Sequence, residues 1–171
     1  MIYEIQPRQE ELLEKALTTD IHHKKRTIFL AGTIDNGNSV DWQDEVIQYF
    51  KENWKYDDVD LIFFNPRRDN WDDINDSEME YQIIWELQWQ EKCDVHFMNI
   101  LGTSKSPISL MELGAFRDKR FMYVACPKEF YRFTNVKVFC ERYHIRHNYE
   151  DTSIRKICSD LEELIKYVIN L

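Results

Sequence analysis

Two glutamates stand out because of what surrounds them. Glu86 lies in "IIWELQW" and Glu112 in "SLMELGAF", each a lone acid among apolar residues. A buried, unpaired carboxylate is costly and is driven to take up a proton, so each needs a structural partner or a chemical task. Taken singly, either is accounted for as a rim carboxylate or half of a buried ion pair. Two of them, on helices flanking successive strands with glycine-bearing ends, point to paired-acid chemistry at a glycosidic bond. There one carboxylate attacks or stabilises a cationic sugar carbon while the other handles the leaving-group proton. The chain offers no rival set: GxSxG and HExxH are absent, and no histidine sits at an evident strand-end motif.

The elements that must position these acids are readable from periodicity. "TIFLAG" (27–32), "DLIFFNP" (60–66), "VHFMNI" (95–100) and "FMYVAC" (121–126) are short apolar, β-rich runs. Between them lie helical segments: 40–54, with Trp42, Val46, Tyr49 and Phe50 at helical spacing; 77–93, with Ser77 and Glu80 resembling a capping box; and 106–119. In the last of these Ser106 is the expected N-cap and Pro107 the first helical residue. A partly helical stretch follows from Pro127, and an amphipathic helix closes the chain over 153–170. Before the first strand, residues 8–18 are helical in composition and lead to the basic connector "HHKKR", so residues 1–25 form an N-terminal helical extension of one domain. Strands joined by helices imply parallel pairing with right-handed crossovers, a three-layer α/β architecture in which ligands bind beyond the carboxyl ends of the strands. Those ends carry "AGTIDNGNS", "NPRRDNWDD" and "GTSKSP", and all four glycines lie in or beside these loops or the Glu112 helix. Neither GxGxxG nor GxxxxGK[ST] is present, which argues against dinucleotides and nucleoside triphosphates.

Composition narrows the partners. The chain has 171 residues, 43% of them hydrophobic and 14% aromatic, enough for one well-packed core. A net charge of −9 argues against a nucleic-acid groove or an anionic membrane surface. Cys93, Cys126, Cys140 and Cys158 form no CxxC pair, and the set Cys140, His144, His147 and Cys158 matches no zinc spacing, so reduced thiols and no metal or other cofactor are expected. With no apolar leader or membrane span, a cytoplasmic protein is expected.

"IFLAGTID", "NPRR", "WELQWQEKCDV" and "SPISLMELGAF", in this order and spacing, resemble the nucleoside 2-deoxyribosyltransferase-like proteins over roughly residues 26–135. The resemblance implies a five-stranded parallel sheet in a flavodoxin-like arrangement, and a homo-oligomer whose neighbouring subunit helps complete the site. It makes Glu112 the nucleophile that attacks the anomeric carbon of a 2'-deoxynucleoside, expels the base and holds the sugar covalently until a second base accepts it. Glu86, eight residues before Asp94, would bind the nucleobase and assist its protonation. Gly32, Thr33 and Asp35 in the first loop would contact sugar or base, "NPRR" contributes Asn65, Arg67 and Arg68, and Asn135 falls near a family asparagine that reaches the adjacent subunit's sugar.

Two departures bear on this reading. Phe29 stands where the family's transferases have a tyrosine that orients the nucleophile, so another group must do so, with Tyr81 or an amide of the first loop as candidates. Ser106 stands where they carry an acid, and related hydrolases of 2'-deoxynucleoside 5'-monophosphates have a serine there contacting phosphate. Ser106 at a helix N-terminus, with Arg67 and Arg68, would suit a phosphate, whereas Asp35 would not. Base exchange is therefore the leading expectation, monophosphate N-glycosidase activity the alternative, and a nucleoside-binding protein without turnover the second alternative. "RRDNWDDINDSEMEY" reads either as a solvated connection or as a lid holding Trp71 over the ligand.

Overall fold

The computed structural model describes residues 1–69, 71–72 and 74–170. Its elements are β1 (Ile2–Ile5), α1 (Glu10–Thr18), β2 (Lys24–Gly32), α2 (Trp42–Asn53), β3 (Val59–Phe64), α3 (Asp76–Lys92), β4 (Val95–Asn99), α4 (Pro107–Ala115), β5 (Met122–Ala125), α5 (Phe133–Arg142), β6 (Arg146–Asn148) and α6 (Ile154–Ile169). The strands form one parallel sheet in the order β1-β3-β2-β4-β5-β6.

The sheet has six strands rather than five. Without β1, the order β3-β2-β4-β5-β6 is the flavodoxin-like one. The additional strand pairs with the outer side of β3, Ile2 opposite Leu61 and Ile5 opposite Phe64, so the N-terminal segment is a strand followed by a helix. The three-residue β6, "RHN", completes the other edge.

β3, β4 and β5 are buried along their whole length, which is why they read as largely apolar runs. Helices α2 and α6 cover one face: Trp42, Val46, Phe50, Leu161 and Ile165 pack with Ile28, Leu30 and Phe97. The other face is covered by α1, α3, α4 and α5, with Trp85, Leu113 and Val136 packed on Phe29, Ala31, Ile62 and Val124. Asp60, fully buried in β3, accepts hydrogen bonds from Lys25, the N-terminal ammonium and His23. Burial pushes its carboxyl up, but those donors outweigh it and hold the group down at about 2.

Strand order reverses between β2 and β4, and there the ends must come close. Gly32 pairs with Asn99 at a φ of 129°, and a Cβ on it would lie 2.0 Å from the Asn99 carbonyl oxygen, so only glycine fits. Two helix starts differ from expectation. The N-cap of α3 is Asn75, which accepts from the Glu78 amide 2.9 Å away, in place of a Ser77–Glu80 box. Ser106 does precede Pro107 and α4, but it is left-handed (φ 43°) and its side chain makes no cap bond. Among the described residues no helix is long and apolar enough to cross a membrane.

Candidate active site

A cavity of about 500 Å³ opens beyond the carboxyl ends of β2 and β4, at the strand-order reversal. The loop after β2 supplies one wall through Gly32, Thr33, Asp35 and Asn36; α3 supplies Gln82 and Glu86; α4 supplies Ser109 and Glu112. Both acids singled out in the sequence thus border one space. They reach it because Gln82, Glu86 and Gln90 recur every fourth residue along one stripe of α3, facing α4 across the sheet surface.

Each carboxyl is held by a glutamine through one oxygen. Gln90 Nε2 donates to Glu112 Oε1 at 2.7 Å, and Gln82 Nε2 donates to Glu86 Oε1 at 2.6 Å. Among the described residues the second oxygen of each carboxyl makes no hydrogen bond. Glu112 is 7% exposed. Burial raises its carboxyl to about 7, with the Gln90 hydrogen bond partly offsetting it. Burial raises Glu86 further, to about 8; Gln82 opposes that rise and the neighbouring Glu112 charge adds to it. Burial thus raises both carboxyls towards the neutral range, where one can hold a proton while the other is ionised. Among the described residues no charged side chain pairs with either acid, so the buried-ion-pair account does not apply.

The serines and threonine beside the cavity form a directed chain. The Ser106 hydroxyl donates to Ser104 Oγ at 3.0 Å and Ser104 Oγ donates to Asp35 Oδ1 at 2.7 Å, so the 2.6 Å contact of Thr33 with Ser106 has Thr33 as donor. The Leu101 amide donates to Thr33 Oγ1. These bonds hold Ser106 in its left-handed conformation and explain why it leaves the helix N-terminus uncapped. Asp35 and Asn36 are also left-handed (φ 51° and 52°).

Other expected contacts lie elsewhere. Arg67 grips the first loop from behind: its guanidinium donates to the Gly37, Ser39 and Val40 carbonyls at 2.6–3.2 Å and lies 3.4 Å from Asp41. Asn65 is buried, donating to Glu4 and accepting from the Arg67 amide. Arg68 approaches Glu78 at 3.9 Å. Asn135 lines a separate groove with Leu110, Gly114, Tyr131 and Phe139. Trp71 lines the cavity, its ring against Gly37; of the surrounding loop, Asn70 and Asp73 lie outside the described residues.

The group that meets Glu112 was not among the candidates read from sequence. Tyr81 donates to Glu10 instead, at 2.6 Å, while Phe29 presents an apolar ring to the cavity. The missed residues are Gln90, Gln82 and His96. The signal for the first two was the four-residue spacing Gln82–Glu86–Gln90 along one helix; His96 offered none, being a polar residue within a buried strand.

The chain belongs to the nucleoside 2-deoxyribosyltransferase like family, whose profile matches residues 25–130. That span runs from β2 past α4 and contains every residue of the cavity wall. No curated protein matches the chain in sequence.

Proposed function

We propose that the protein cleaves the N-glycosidic bond of a 2'-deoxynucleoside and transfers the 2-deoxyribosyl group to an acceptor nucleobase. Glu112 attacks C1', the C1'–N bond breaks, and the bonding pair leaves with the base, which takes the Glu86 proton. An incoming base then displaces Glu112 and returns a proton to Glu86. The observation that carries this reading is the shared cavity bordered by both acids, each held through one carboxyl oxygen by a glutamine, with burial raising both carboxyls. A poorly solvated carboxylate gains most from an oxocarbenium-like carbon, because that carbon replaces the missing water. Apolar surfaces of Phe29, Ile34, Trp71 and Met111 suit a flat base and limit hydrolysis of the glycosyl ester.

Hydrolysis of a 5'-monophosphate is supported less well. The Ser106 hydroxyl donates within a chain that ends on the Asp35 carboxylate, and the Arg67 guanidinium is taken up by loop carbonyls. Among the described residues lining the cavity none is cationic, so a phosphate there would meet the Asp35 charge unanswered. Binding without turnover leaves the pairing of two raised carboxyls unexplained.

Incubation with deoxynucleosides and their monophosphates, with and without an acceptor base, followed by chromatography, tests the reading. Exchanged nucleosides that form with the wild-type chain and vanish with Glu112→Ala are expected. Unimpaired exchange by that variant, or release of base from monophosphates alone, would overturn it.

A further inference from the structure

Glu112 is met on its inner side by a side chain that itself has only one way to point. We propose that Gln90 and His96 are positioning residues for Glu112: the buried His96 ring fixes the Gln90 amide so that its NH2 group, and not its carbonyl, faces the carboxylate. The proposal rests on the reading of Glu112 as the nucleophile.

The geometry is a three-member relay. Gln90, fully buried on α3, donates from Nε2 to Glu112 Oε1 at 2.7 Å, and its Oε1 lies 2.9 Å from Nε2 of His96 on β4. An amide that gives its NH2 to Glu112 has only its carbonyl left for His96, so the imidazole must carry its hydrogen on Nε2. His96 Nδ1 is then a bare acceptor, and among the described residues it has no partner. The reverse arrangement turns the Gln90 carbonyl towards Glu112, which would then have to be protonated to donate to it. It also moves the His96 hydrogen to Nδ1, where a buried N–H would find no acceptor, a worse defect than an unfilled lone pair. The relay thus favours the ionised, attacking form of Glu112.

The surroundings lock the relay in place. Burial, and then the nearby Lys119 charge, lower His96 to about 3, so the ring stays neutral. Its ring centroid lies 6.1 Å from that of Phe29 and 5.4 Å from that of Phe116, which leaves the imidazole little room to turn. Lys119 donates to the carbonyls of Gln90, Glu91 and Cys93 at 2.7–2.9 Å, tying the last turn of α3 to the segment after α4. The ionisable neighbour of Glu112 on α3 is Glu86, whose carboxyl the Glu112 charge raises and which offers Glu112 no stabilising charge. Gln90 is the donor that works the other way. This arrangement takes the place of a hydroxyl at position 29, where Phe29 can only pack.

The wild-type chain and two variants decide the matter. Heteronuclear NMR of the imidazole nitrogens of the wild-type protein should show His96 as the Nε2–H tautomer across neutral pH. A carboxyl-carbon titration, with the Glu112 signal identified by its loss in Glu112→Gln, should place the Glu112 midpoint about one pH unit or more higher in Gln90→Met. His96→Phe should move it the same way by less, and Gln43→Met, on α2 across the sheet, should leave it in place. In turnover, the acid limb of kcat should move with the midpoint while KM for the deoxynucleoside stays within about twofold. An Nδ1–H tautomer in the wild type, or an unmoved Glu112 midpoint in folded Gln90→Met, overturns the proposal. The tautomer is readable even where neither variant folds. A wild-type chain that exchanges no bases would refute the nucleophile reading alone, because both NMR results stand independently of turnover.

Discussion

Replacing Glu112 by glutamine should stabilise the protein, and the gain should grow with pH. The folded carboxyl is raised from 4.5 to about 7 by burial. An acid raised in the folded state contributes stability that is fully present below its unfolded value and is lost as pH climbs through the folded one. Fully ionised, Glu112 therefore costs the fold about 3 kcal/mol, and between about pH 5 and pH 8 the wild type should lose about 2–3 kcal/mol through this group. In Glu112→Gln the side-chain carbonyl still accepts from Gln90, the shape is kept, and nothing at the position titrates. For a chain of 171 residues, each kcal/mol moves the melting temperature by about 2–4 °C. Thermal unfolding followed by circular dichroism should thus show the variant's advantage widening by about 5–10 °C between those two pH values. A melting-temperature difference that is the same at both, or a variant less stable than wild type at the higher pH, would refute the claim that Glu112 is dehydrated and unpaired.

Other expectations follow from the same site and its frame. If exchange is observed, kcat/KM should follow a narrow bell whose flanks belong to the Glu112–Glu86 pair at about 7 and about 8, and Glu86→Gln should remove the alkaline flank and slow base departure by about 10²–10⁴-fold in steady-state assays. Gly32→Ala should cost about 3 kcal/mol or more in urea unfolding, since its Cβ would meet the Asn99 carbonyl at 2.0 Å in a backbone conformation alanine rarely adopts. Asp60→Asn should cost about 3–5 kcal/mol, measured the same way near pH 7, by leaving Lys25 without its buried counter-charge. The wild type should keep that contribution until pH falls below the ordinary carboxylate range towards about 2, because the folded group is depressed.

The parts of this molecule legible in its sequence are those where burial leaves a one-dimensional trace. β3, β4 and β5 are covered on both faces, so "LIFF", "VHFMN" and "MYVA" announce themselves. The edge strands "IYEI" and "RHN" are short and carry charge, which is how an edge is made and why they look like connector. Glu86 and Glu112 were visible as isolated acids in apolar helices. Their helper was not: Gln90 and Glu112 lie 22 residues apart, and their contact depends on how α3 is rotated against α4. Arg67 and Arg68 had the right chemistry for a phosphate, but sequence cannot say which way a guanidinium turns, and Arg67 turns to the backbone of its own fold.

That grip has a bearing on how such a site can be reshaped. By tethering three peptide oxygens of the segment from Gly37 to Val40, Arg67 lets Asp35 and Asn36 sit in conformations that a free segment would relax out of. The cavity wall formed by that loop is then a fixed surface, whereas Ile83, Leu87, Ile108 and Met111 at the opposite mouth are 40–62% exposed and bear little of the core. Under the proposed function, new preferences among bases would be cut at those four side chains while the acids below keep their places.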